Sequence, residues 1–102
     1  MSRPFSYNDE KYTVIGNVLF CHITVSYVET NGNIAEIPHA IYKRLIQRSA
    51  KAFIVRTSKS NLTDTYTFNV YTSEENGKYY LKTQAEIKSA YIVTAFMFLE
   101  DI

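Results

Sequence analysis

The sequence contains no tryptophan, a single cysteine, two prolines and three glycines; the few prolines and glycines argue against a low-complexity chain. With Cys21 alone, no intramolecular disulfide can form and nothing points to an oxidising compartment. The glycines at 16, 32 and 77 are isolated, so no glycine-rich phosphate loop can be built from them. The longest apolar run, residues 90–99, is too short to cross a bilayer as a helix. The opening segment MSRPFSYNDEKY lacks the apolar centre of a signal peptide. These features predict a soluble, cytoplasmic protein that does not engage a membrane.

Catalytic and metal-binding signatures are equally sparse. Cys21 and His22 resemble a nucleophile and base, but adjacent residues of a strand point to opposite faces. Pairing of Cys21 with His39 through the fold stays open, without a local signal for it. Two histidines and one cysteine match no zinc spacing. No nucleophile elbow is present, nor a carboxylate pair at helical spacing on an apolar face. The expectation is a protein that is not an enzyme, with no catalytic residue, no bound metal and no cofactor.

What is present is apolar and aromatic. Hydrophobic residues make up 46% of the 102, with nine tyrosines and six phenylalanines, enough for one folded domain and too apolar for a disordered chain. The net charge of +1 conceals an uneven distribution. Residues 37–63 contain Lys43, Arg44, Arg48, Lys51, Arg56 and Lys59 and no acid, whereas residues 1–36 sum to −2 and residues 64–102 to −3.

Along the chain, residues 1–10 read as a polar lead-in without fixed structure. Residues 12–15 suit a short strand, and Gly16-Asn17 suits a two-residue hairpin loop. Residues 18–28 alternate, with Leu19, Cys21, Ile23, Val25 and Tyr27 on an apolar face and Phe20, His22, Thr24 and Ser26 opposite. Asn31-Gly32 and Asn76-Gly77 each predict a type I′ turn. Residues 33–37 read as an edge strand. From Pro38 the period changes from 2 to 3.6 and predicts a helix over 38–50. Ile41, Leu45, Ser49 and Ala52 fall on its inner side, and Lys43, Arg44, Gln47, Arg48 and Lys51 on its outer side. Strands follow at 52–55, 65–72 and 78–83. Thr83-Gln84-Ala85-Glu86 fits a helix capping box, but the β-branched and aromatic run 91–99 reads as a strand covered on both faces.

The expected architecture is therefore α+β: an antiparallel sheet of about five or six strands with one amphipathic helix packed on one face. The candidate binding surface is the basic helix face of Lys43, Arg44, Arg48 and Lys51, with Arg56 and Lys59 beyond it and Tyr71, Tyr79 and Tyr80 nearby. A face that tolerates like charges at i,i+4 suits an anionic partner. Tyrosines serve both cores and interfaces. A small binding or inhibitor module with a protein partner is the first functional expectation. In style it is like the motif-free, tyrosine-rich domains common among phage and mobile-element proteins, such as anti-defence and immunity proteins. Nucleic acid or a nucleotide ligand on the basic helix and its tyrosines is the alternative. The apolar segment 96–99 suggests a homo-oligomer interface if its outer face is uncovered.

Overall fold

A computed structural model describes residues 6–56, 65–88 and 91–100. Eight strands account for most of them: β1 (Tyr7–Asn8), β2 (Tyr12–Ile15), β3 (Val18–Val25), β4 (Asn33–Ile37), β5 (Ser49–Arg56), β6 (Thr65–Glu75), β7 (Lys78–Thr83) and β8 (Tyr91–Phe98). One short helix, α1 (His39–Tyr42), separates β4 from β5. The strands form a single sheet in the order β1-β2-β3-β8-β5-β6-β7-β4, and every neighbouring pair is antiparallel. The α+β expectation is overturned: the chain is almost entirely antiparallel sheet, curled into half a barrel. Tyr12, one strand in from the β1 edge, donates its hydroxyl to the Glu36 carbonyl on the opposite edge strand at 3.0 Å. That bond ties the two sides of the sheet together.

The long helix over 38–50 is absent for local and competitive reasons. Pro38 occupies the cap without a side-chain cap bond, and the first turn carries no acid. The residues that would continue the helix are cationic and have no i,i+4 carboxylate to pair with. A helix of this length is marginal in water without such support. The strand alternative bonds the same backbone more completely. Leu45 bridges Leu99, the Ile46 amide donates to the Phe98 carbonyl at 3.0 Å, and β5 is paired on both sides. Ile41 and Leu45 still reach the core, at 0% and 4% exposure, but as two anchors of a turn.

The strand predictions fare better, with corrections at the ends. β3 stops at Val25, and Tyr27 turns outward while Val28 bridges Ile87. β5 begins three residues earlier than alternation suggested, and β6 runs on to Glu75. The polar lead-in contains β1, folded onto β2 by Asp9, whose Oδ1 accepts the amides of Lys11 (2.8 Å) and Tyr12 (2.7 Å). Gly16 (φ 63°) and the pair Asn76 (φ 53°) and Gly77 (φ 81°) occupy two-residue loops as expected. Asn31-Gly32 does not form a type I′ hairpin. Only Asn31 has positive φ, and the Gly32 amide closes a turn onto the Glu29 carbonyl at 2.8 Å. A Cβ at Gly32 would sit 2.8 Å from that same oxygen, so the crowding itself demands glycine. The chain then crosses to pair β4 with β7 rather than with β3.

Alternation assigns one face of the sheet to the core. Leu19, Cys21, Ile23, Ala52, Phe68, Val70, Leu81, Val93, Ala95 and Met97 all face it. At its centre the strand register aligns Tyr12, Cys21, Ala95, Ala52 and Phe68 in one row. Small side chains in the middle and large rings at the ends suit the concave side of a curled sheet.

Candidate functional site

The same alternation sends a second set of residues outward. In β8, with Val93, Ala95 and Met97 inside, Phe96 and Phe98 must lie outside, so the strand is covered on one face only. Antiparallel register sets Phe20 of β3 beside Phe96, and Val18 beside both Phe98 and Ile15. Phe53 of β5 lies beside Thr94, which lies beside His22. The Ile46–Phe98 backbone bond brings Ile46 to the same apolar row. The Phe20 and Phe96 rings meet at 5.2 Å and 57°, and Phe20 stacks on His22 at 6.1 Å.

These side chains form a contiguous apolar surface. Ile15 is 71% exposed, Ile46 63%, Phe98 51%, Phe96 48% and Phe53 43%. At roughly 200 Å² for a whole phenylalanine, the three rings alone present about 280 Å². The isoleucines carry the patch into the ~300–600 Å² range of the largest, often functional, patches on soluble proteins.

The predicted site residues are dispersed, because the helix meant to gather them does not form. Lys43 is exposed at the end of α1, and half-buried Arg44 accepts the Glu100 amide on its carbonyl at 2.7 Å. Arg48 folds back, donating Nη1 to the Leu45 carbonyl at 3.0 Å with its guanidinium 4.6 Å from the Tyr42 ring centroid. Tyr79 lies between Tyr42 (3.8 Å) and His39 (5.4 Å) in near-parallel stacks. Arg48, Tyr42, Tyr79 and His39 thus form one continuous stack that packs the short helix onto β7. Tyr80 is paired across the sheet with Glu36 and Ser73. Arg56 ends β5, and Lys59 lies outside the described residues.

Two predicted residues do converge. Lys51 and Tyr71 line a cleft of about 490 Å³ with Ser49, Asn69 and Gln84. Asn69 Nδ2 donates to Gln84 Oε1 at 2.9 Å, and the Tyr71 hydroxyl donates to Asn31 Oδ1 at 2.9 Å. The cleft lies on the outer face of β5 and β6, next to the aromatic patch.

Cys21 is 1% exposed, and burial pushes its thiol pKa up to about 12, while His22 is exposed on the other face. The ordinary value of 9.0 applies once the chain unfolds. Folding therefore favours the protonated thiol, and stability is expected to hold below pH 9. It should then fall by about 1.4 kcal/mol per pH unit between 9 and 12. Denaturant titrations across that range check this contribution: the stability of Cys21→Ala should fall less steeply than that of the wild type between pH 9 and 12. Among the described residues no group of three or more His, Cys, Asp or Glu is placed to hold a metal, and no helix is long and apolar enough to cross a membrane.

The segment 96–99, expected from the sequence to form an interface if its outer face is uncovered, supplies Phe96 and Phe98 to this patch; its neighbours Phe20, Phe53, Ile15 and Ile46 were not foreseen. Phe20 sat on the side of β3 opposite the apolar face, and Phe96 and Phe98 share one parity in β8. No protein-family model, no curated protein and no solved structure matches the chain.

Proposed function

We propose that the chain is a small non-enzymatic docking module that binds a protein partner through the outer face of its sheet. The observation that carries this reading is the contiguous patch of Ile15, Phe20, Phe53, Phe96, Phe98 and Ile46 on an uncovered face. Aromatic side chains are the usual energetic anchors of protein interfaces, and a rigid sheet presents them at little ordering cost. Inhibition by occupying a partner's surface is the mode of action such a module supports. The lone thiol without a disulfide partner favours a reducing, cytoplasmic setting.

The test is a double substitution on the patch, Phe53→Asp with Phe96→Asp. Both side chains are about half exposed, so the fold should tolerate them. Affinity for a partner recovered with the wild-type chain should drop by about 100-fold or more, as for paired interface anchors. Equal affinity of the double variant, with cooperative unfolding intact, would remove the patch from the function.

A second reading rests on the same rings, since exposed aromatics on a sheet can stack the bases of a single strand. The weaker support for it is electrostatic. Nucleic-acid affinity is dominated by phosphate neutralisation, and the four strands beneath the patch, β2, β3, β8 and β5, contain two lysines or arginines, Lys51 and Arg56. Fluorescence anisotropy with a labelled single-stranded oligonucleotide at low salt discriminates the two, and no saturable binding is expected.

A further inference from the structure

The strands that carry the aromatic patch have one electrostatic feature in common. The four strands beneath the patch, β2, β3, β8 and β5, contain no acidic residue anywhere in their spans. Lys51 stands outward on β5 two residues from Phe53, at the border where the apolar patch meets the cleft. Among the described residues it has no carboxylate in salt-bridge contact. The cleft wall adds donors: with its Oε1 already accepting from Asn69, Gln84 keeps its amide nitrogen to donate, beside the Ser49 hydroxyl. The acids of the same molecule lie outside these strands, as at Glu74 and Glu75 in the β6–β7 hairpin, Glu36 on the edge strand, and Glu86, which accepts a hydrogen bond from the Tyr27 hydroxyl.

From this arrangement, and resting on the docking reading above, we infer that the partner presents a carboxylate beside its apolar anchors. The carboxylate would enter the cleft against Lys51, and the anchors would lie on Phe53 and Phe96. Residues 51 and 53 are separated by two strand steps, roughly 7 Å. The partner's acid and its nearest apolar side chain must match that separation, as residues i and i+2 of an extended segment do. A charge pair at the edge of an apolar contact sets register and excludes wrong partners. A second copy of this chain fits the surface poorly. A two-fold interface repeats one patch on both sides, so Lys51 would face another acid-free surface.

The experiment selects displayed random twelve-residue peptides on the folded full chain, on Lys51→Glu, and on Phe53→Asp with Phe96→Asp. Thermal unfolding confirms that each variant is folded. Wild-type selections should be enriched in Asp or Glu two positions from an aromatic or large aliphatic residue. The best synthetic peptide should bind Lys51→Glu about tenfold more weakly, and replacing its acid by lysine should restore binding to that variant. Selections without acid enrichment, no selectable peptide, or indifference to Lys51→Glu would each overturn the inference. If those peptides still depend on Phe53 and Phe96, the docking reading survives alone; if they do not, it falls as well. A concentration-dependent dimer in sedimentation that Phe96→Asp dissolves would assign the face to a second copy. Binding of a single-stranded oligonucleotide that Lys51→Glu weakens would assign it to nucleic acid. Either result overturns the inference.

Discussion

Replacing Tyr12 by alanine is expected to destabilise the protein by about 3–5 kcal/mol, the range for removing a large ring from a packed interior. Tyr12 is 2% exposed and closes one end of the central inward row. Its hydroxyl also spans the gap between the two sides of the sheet, to the Glu36 carbonyl. The two contributions separate cleanly. Tyr12→Phe keeps the ring and removes the bond, and should cost about 1 kcal/mol. Small domains of this length have a total stability on the order of 5–15 kcal/mol, so the alanine variant should be partly unfolded at modest temperatures and the phenylalanine variant should not. Urea titrations measure both. Amide hydrogen exchange adds a local readout: Tyr12→Phe should speed exchange in β4 around Glu36 more than in β8. If the phenylalanine variant matched wild type in both measurements, the sheet would be closed by packing alone and the edge-to-edge bond would be incidental. Ionisation gives an independent indication, since burial raises the phenol's pKa above its ordinary value. Folding thus favours the neutral hydroxyl, and this contribution too weakens as pH climbs above 10.

Much of the sheet was legible because its signals are local. Period-2 alternation placed Leu19, Cys21 and Ile23 inside, and the loops at Gly16 and at Asn76-Gly77 follow from residues that tolerate positive φ. The helix was not legible because Ile41 and Leu45 are spaced four apart in either conformation. Periodicity over so short a window cannot tell one buried helical turn plus a bridge from a continuous helix. The deciding interactions are long-range. Leu45 pairs with Leu99, and β5 lies between β6 and β8, which come later in the chain. With the helix gone, the basic stretch loses its common face, and Arg48 becomes a packing residue on Tyr42. The extent of the aromatic patch around segment 96–99 stayed hidden for the opposite reason. An apolar strand such as β8 looks alike whether one face is covered or both, and only the register with Phe20 and Phe53 shows which side is open.

The centre of that register makes the second large prediction. Ala52 and Ala95 are directly paired, both fully buried, with Cys21 next in the row and Tyr12 and Phe68 at its ends. Curling a sheet brings its inner side chains together, so the middle of the row has room for methyl groups and little more. Ala95→Leu or Ala52→Leu should each cost about 1–3 kcal/mol through displaced neighbours and strained rotamers, although both substitutions add apolar surface to the core. Combined, the two should cost more than their sum, because both added side chains claim the same volume between Tyr12 and Phe68, and contacting sites are not additive. Chemical denaturation of the two singles and the double forms the complete cycle. Ala95→Ser serves as a control, since it leaves volume almost unchanged and tests burial of a hydroxyl instead. A neutral or stabilising leucine at either position would mean that the interior holds unfilled space and that large rings at the ends do not set the curvature. Destabilisation greater than additive would tie the half-barrel shape, and with it the outward splay of Phe53 and Phe96, to three small residues at the centre of the sheet.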